Sequence, residues 1–249
     1  MNGFSTQTTS VPGSNVTRLP DRISTLTPRR QTASRNAAPD AERPLVLIVD
    51  DDEAVRSALR ELILSVGIDA RCFGSARELL DAGLPRRPGC LLLDVRMPGS
   101  SGLDLQSRLA ANEDAPPIIF LTGHGDIPMA VTALKAGAVD FLTKPVRDQT
   151  LLDAVTAAIG VDIARRRKAL LVKQHIERLA TLTQRERQVF REVAQGRLNK
   201  QIAFDLGISE VTVKLHRCNV MRKMQAASIG ELVRAWEALP ADMREARAA

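Results

Sequence analysis

From Leu45 onward, short apolar runs alternate with stretches of helical spacing. Leu45–Val49 is an unbroken apolar run, and Val55–Val66 then repeats apolar side chains at Val55, Leu59, Leu62, Ile63 and Val66. The period of two and the period of 3.6 separate strand from helix. The same reading predicts strands at Ala70–Phe73, Cys90–Leu93, Pro117–Leu121 and Val139–Leu142. It predicts helices at Ala76–Leu80, Leu103–Leu109, Ile127–Ala136 and Thr150–Ile159. Strands that alternate with helices at this spacing imply an α/β doubly wound five-stranded parallel sheet with helices on both faces. Uninterrupted apolar runs bounded by turn residues suit strands buried on both sides.

The pattern changes after Ile159. Residues 161–180 read as a charged helical linker with a short apolar stripe that includes Leu171, Ile176 and Leu179. After Thr183 the period is wholly helical, with expected breaks at Gly196, Gly207 and Gly230 and a polar tail after Pro240. Asn199–Leu206 forms a short helix, Gly207 suits a left-handed stop, and Ser209 is a good N-cap for a second helix reaching Met224. Val213, Val220 and Met224 make the buried stripe of that second helix, facing Ile202, Ala203, Leu206 and Ile208. Its other face is expected to carry Thr212, Lys214, Arg217 and Arg222. The predicted organisation is a tail over 1–43, an α/β domain over 44–160, the linker over 161–180, an all-α domain over 181–240, and a tail over 241–249. The first segment is rich in Ser, Thr, Pro and Arg and shows no apolar period. It reads as disordered, or as the product of a start site placed too far upstream.

Charge sharpens this division. Residues 1–44 carry a net +3, residues 45–160 a net −5, and residues 161–249 a net +8, within a chain total of +6. A basic end points to a polyanionic partner, although a solvated charged surface gives the same sum. No apolar run approaches the roughly eighteen residues needed to cross a bilayer, and the polar N-terminus does not resemble a secretory signal. The 3 cysteines, Cys72, Cys90 and Cys218, are widely spaced without a metal-ligand pattern, which suits a cytoplasmic protein.

The unusual polar residues of the α/β domain all stand just beyond an apolar strand. Asp50, Asp51 and Asp52 follow the first strand, Asp94 the third, Thr122 the fourth and Lys144 the fifth. Doubly wound sheets gather ligands at the carboxyl ends of their strands. With strand order 2-1-3-4-5, Asp50, Asp51 and Asp94 would converge. Clustered carboxylates repel unless a cation neutralises them, and oxygen donors favour a hard divalent ion, with Mg²⁺ the natural choice. Lys144 adds a positive charge and Thr122 a hydroxyl, so the set can stabilise an incoming phosphoryl group while a carboxylate attacks it. A single Asp after a strand is usually a helix cap or turn residue. A full set spread over four strand ends is not explained that way.

The segments LVLIVDDDEAVR, LLLDVRMPGSSGLDL, IIFLTGHGDIPMAV and AVDFLTKP resemble the receiver domain of two-component response regulators of the FixJ subfamily, over residues 45–160. The resemblance implies a flavodoxin-like fold with Asp94 as phosphoacceptor for a sensor histidine kinase. It implies Mg²⁺ held by Asp50, Asp51, Asp94 and the backbone carbonyl of Arg96, with Asp52 left to cap a helix. It further implies a phosphoryl contact from Lys144, a cis Lys144–Pro145 peptide, and a switch pair of Thr122 and Phe141. Phe141 is equally an ordinary core residue on the sequence alone. Gly123–Val131 would then form the mobile loop and fourth helix that respond.

Residues 181–239 resemble the LuxR-type helix-turn-helix domain, through LTQRERQVFREVAQGRLNKQIAFDLGISEVTVKLHRCNVMRKM. A basic helix after a tight turn suits the major groove of double-stranded DNA. Lys214 and Arg217 can reach guanine edges or phosphates, and Lys200 can anchor the first helix to the backbone. The family position of Leu215 makes it groove-facing and able to meet a thymine methyl, while His216 reads as a packed structural residue. The combined resemblance implies a transcription regulator that is not an enzyme, works as a homodimer when phosphorylated, has RNA polymerase as a further partner, and does not engage membranes. Aspartate-nucleophile phosphatases also place a carboxylate after a parallel strand, but they carry a second Asp two residues on, where this chain has Arg96. An inert receiver would need none of the Asp50, Asp51, Asp94, Thr122 and Lys144 set.

Overall fold

The computed structural model describes residues 43–123 and 126–245. Strands β1 (Leu45–Val49), β2 (Asp69–Phe73), β3 (Gly89–Asp94), β6 (Ile118–Thr122) and β7 (Asp140–Thr143) form one parallel sheet in the order β2-β1-β3-β6-β7. Helices α1 (Glu53–Ser65), α2 (Ala76–Ala82), α3 (Gly102–Leu109), α4 (Ile127–Lys135) and the start of α5 (Asp148–Ala180) connect and cover it. The alternation of strand side chains divides the core. Leu45, Leu47, Val49, Leu91 and Leu93 pack with α2, α3 and α4, whereas Val46, Ile48, Cys90, Leu92 and Leu121 pack with α1 and α5. β1 and β3 are buried at every position, which is why they read as unbroken apolar runs.

β3 enters the sheet at Gly89, where a Cβ would stand 1.9 Å from the carbonyl oxygen of Leu45. Only glycine fits there. A two-residue antiparallel pair, β4 (Arg96–Met97) with β5 (Ser100–Ser101), follows β3 and has no apolar period that would announce it. Asp52 caps α1, its carboxylate accepting hydrogen bonds from the N–H groups of Ala54 and Val55.

α5 continues unbroken to Ala180. Its last turns supply Ile176 and Leu179 to a second core, while Leu171, placed in the same stripe by sequence, is exposed. That second core joins α6 (Gln184–Ala194), α7 (Asn199–Leu206), α8 (Glu210–Met224) and α9 (Ile229–Ala238). Phe190 and Trp236 meet edge to face with centroids 5.1 Å apart. Gly207 ends α7 in the left-handed conformation at φ 64°, as its sequence position predicts. Gly230 does not break a helix; it lies inside α9, whose N-cap is Ser228. The chain instead turns at Gln225, left-handed at φ 55° and the one non-glycine with positive φ among the described residues. The described part of the expected polar tail forms a short helix, α10 (Ala241–Glu245). The N-terminal tail over 1–43 lies outside the described residues except for Arg43, as do His124 and Gly125 of the expected switch loop.

Candidate functional site

β1 and β3 are hydrogen-bonded neighbours, so Asp50, one residue past β1, and Asp94, the last residue of β3, end side by side. Asp50, Asp51 and Asp94 each offer a carboxylate oxygen, and these oxygens lie within 4.8 Å of one another. Asp50 and Asp94 are buried at 2% and 7% exposure, while Asp51 is open to solvent. The Lys144 ammonium, one residue past β7, donates to Asp50 Oδ2 and, at 3.2 Å, to Asp94 Oδ1. The peptide between Lys144 and Pro145 is cis. Asp50 Oδ1 also accepts from the Asp52 N–H at 3.0 Å, and Arg96 N–H donates to Asp94 Oδ2 at 3.2 Å.

Both titrations are shifted upward, for different reasons. Burial pushes the Asp94 carboxyl above its ordinary value, with the neighbouring Asp50 charge adding to it, and Lys144 and the Arg96 N–H only partly oppose this. For Lys144, burial alone would lower the pKa, but the hydrogen bonds and charges of Asp50 and Asp94 outweigh it, and the ammonium is held above its usual range. Thr122 closes β6 and is 1% exposed, and the N–H of Lys144 donates to its carbonyl at 2.8 Å. Phe141, in β7, is half-buried against the face that holds α4, its ring 6.1 Å from that of Phe120. The structure thus brings Asp50, Asp51, Asp94 and Lys144 together, with Thr122 at the next strand end. Sequence reasoning missed Arg56, whose guanidinium donates to the Asp50 carbonyl at 2.7 Å. Its signal was its position one turn into the helix that follows the acidic run.

At the other end, Ser209 caps α8, its Oγ accepting from Thr212 N–H at 3.1 Å and lying 2.9 Å from Thr212 Oγ1. Lys200, Lys214 and Arg222 are exposed, and Leu215 is 61% exposed. Arg217 departs from the expectation of an outward face: it is half-buried, and its guanidinium donates to Asn199 Oδ1 at 3.0 Å. The reason is helical phase, since Arg217 lies one turn from the buried Val213. Asn199 was not singled out by sequence. His216 is half-buried, and its Nδ1 is enclosed without a hydrogen-bond partner among the described residues.

A parallel sheet with an acidic, lysine-bearing pocket at its strand ends, joined by one helix to a helix-turn-helix unit, defines a receiver coupled to a DNA-binding domain. Comparison with known proteins agrees. Residues 46–156 match the response regulator receiver domain, and residues 180–236 match the luxR family of bacterial regulatory proteins. The chain is 50% identical to nodulation protein W of Bradyrhizobium diazoefficiens over 197 residues, covering 79% of this chain and 87% of that protein. It is 48% identical to the transcriptional regulatory protein FixJ of Azorhizobium caulinodans over 189 residues, covering 76% of this chain and 90% of that one. The solved structure of the response regulator StyR superposes with a TM-score of 0.69 at 46% identity, covering 78% of this chain and 98% of that one. The chain belongs to the two-component response regulators of the FixJ subfamily, which join a receiver to a LuxR-type helix-turn-helix domain.

Proposed function

We propose that Asp94 is the phosphoacceptor, that a sensor histidine kinase is the donor, and that the modification controls dimerisation and sequence-specific binding to double-stranded DNA. The single observation that carries this is the buried Asp94 carboxylate, flanked by the Lys144 ammonium and by Asp50 and Asp51. An Asp94 oxygen attacks phosphorus, the bond from phosphorus to the donor imidazole breaks, and that imidazole leaves. Lys144 then balances charge on the transferred phosphoryl oxygens, and Thr122 contributes its hydroxyl. Three carboxylates facing one lysine leave excess negative charge, and oxygen donors alone suit a hard divalent cation. Asp50, Asp51, Asp94 and the Arg96 carbonyl are the residues to hold Mg²⁺, which when bound supplies neutralisation of phosphoryl charge.

In this reading residues 44–160 are the receiver, 161–180 the helical linker and 181–240 the DNA-binding domain, with tails on either side. Thr122 and Phe141 form the switch. Lys200, Thr212, Lys214, Leu215, Arg217 and Arg222 form the DNA surface, Arg217 from the seam between α7 and α8. RNA polymerase is a further partner. No helix among the described residues is long and apolar enough to cross a membrane. The cytoplasm is the expected location, and transcription regulation rather than enzymatic turnover the expected role. The test is labelling with acetyl phosphate. Wild type should be modified on Asp94 in a reaction that EDTA suppresses, and Asp94→Asn should take up no label. Undiminished labelling of Asp94→Asn would overturn the assignment.

A further inference from the structure

We propose that Val211 is a specificity-determining residue, packing against the 5-methyl group of a thymine in the major groove. The inference rests on the reading above that α8 is the helix that enters DNA. Val211 is 74% exposed and Leu215 61% exposed. They lie one turn apart on the same helix face, with Cβ atoms about 5–6 Å from each other. The exposed Cys218 continues that face, which lies opposite the buried Val213, Val220 and Met224. α8 is therefore apolar on two opposite sides, and the core of its own domain covers only one of them. A lone exposed hydrophobe needs no explanation. A ridge on one face of a helix, with a β-branched residue that slightly disfavours helix, does.

The surroundings of the ridge select its occupant. Lys214 stands exposed beside it, Arg222 is exposed at its carboxyl end, and Lys200 is exposed on α7. Arg217 is drawn to the α7–α8 seam by Asn199, where Glu210, Lys200 and Leu198 line the same shallow cleft. What remains outward is an apolar strip with one cation on its flank and another at its carboxyl end. Its complement has anionic walls and small apolar groups on its floor. The major groove offers both, because the thymine methyl is the apolar group that base pairs display there. Val211 is also in the first turn of α8, two residues after the Ser209 cap, and the N-terminal residues of a recognition helix are those that reach base edges. A spacing of about 5–6 Å between Val211 and Leu215, against about 3.4 Å per base step, places their two thymines within two steps of each other.

The experiment is selection of binding sites from random duplex DNA by the full-length protein with Mg²⁺ and beryllofluoride, followed by replacement of each selected thymine with deoxyuridine. Wild type should enrich a motif with two thymines so spaced, and should bind about three- to five-fold more weakly when either loses its methyl. Val211→Ala should bind thymine and uracil alike at one of the two positions and keep its response at the other, and Leu215→Ala should show the reverse. Both substitutions are at exposed positions, and far-ultraviolet circular dichroism checks their fold. The uracil scan on wild type needs no variant at all. Wild type indifferent to uracil at every position, or Val211→Ala with both methyl responses intact, would overturn the proposal. Enrichment of no motif would instead overturn the reading of α8 as the DNA-entering helix, and the proposal with it.

Discussion

Asp50 and Asp94 illustrate how a buried charge is made tolerable without being made inert. Each carboxylate is desolvated, yet one lysine bridges both, so neither is left without a cation. Glu186 shows the same economy in the helical domain. Its carboxylate accepts from Thr183 N–H in a capping box and from the Lys223 ammonium. Burial would raise its pKa, but Lys223 and Thr183 outweigh that and hold it below the ordinary value of 4.5. A carboxyl depressed in the folded state contributes stability above its unfolded pKa and loses it as pH falls through the folded one. Glu186→Gln should therefore lower stability near neutral pH by about 2 kcal/mol. The deficit should shrink on acidification below about pH 4.5. Chemical denaturation at several pH values measures both. A deficit constant with pH would show that the ion pair is not its origin.

At the scale of elements, α5 belongs to both halves. Near its middle Asp162 is fully buried, accepting from the Gly89 N–H at 2.9 Å and paired with Arg165 and Arg166. Arg166 also donates to the Asp114 carbonyl at 3.4 Å. These contacts tie the helix to the amino end of β3, at the edge of the sheet opposite Asp94. Farther on, Arg178 donates to the Met224 carbonyl at 3.3 Å, tying the same helix to α8. Asp162→Ala would strand two guanidinium groups and a buried N–H. The expected loss is about 3 kcal/mol, read as a lower receiver melting transition. An unchanged transition would mean the network holds nothing that solvent does not replace.

For the molecule as a whole, a single helix-turn-helix makes few base contacts, whereas a dimer reads two half-sites together. Phosphorylation is expected to promote dimerisation through the surface of α4, β7 and α5, which lies nearest to Thr122, Phe141 and Lys144. Joining two sites raises the effective concentration of the second without any change in the DNA surface. Sedimentation with and without beryllofluoride, beside DNA titrations over a range of salt, separates this from simple unmasking of α8. The dimer model expects a shift to twice the mass together with tighter binding, whose affinity falls steeply with salt. An activated protein that binds tightly as a monomer would defeat it. Equal affinity of fragment 181–249 and the activated protein would favour unmasking.

Much of this was determined by local sequence. Apolar runs marked β1, β3 and β6, because a strand buried on both faces can carry little else, whereas β2 and β7, at the two ends of the sheet order, are half-exposed and gave a weaker signal. The acidic set was legible because a doubly wound sheet sends every strand end to the same edge, so position after a strand already implies convergence. Gly207 and Ser209 marked the turn before α8 because few residues serve in those backbone conformations. What sequence could not decide depended on partners distant along the chain. The turn at Gln225 replaced the break expected at Gly230, since a capped, packed helix accommodates an interior glycine and the left-handed position carries no compulsory residue type. Arg217 looked like a free cation until Asn199, 18 positions earlier, was seen to hold it. Asp162 falls in the stretch that sequence reads only as a charged linker, and its bond to Gly89, 73 positions away, makes it a buried anchor. Periodicity reports which side of an element faces the core. Which polar groups meet there is decided only when the elements are packed.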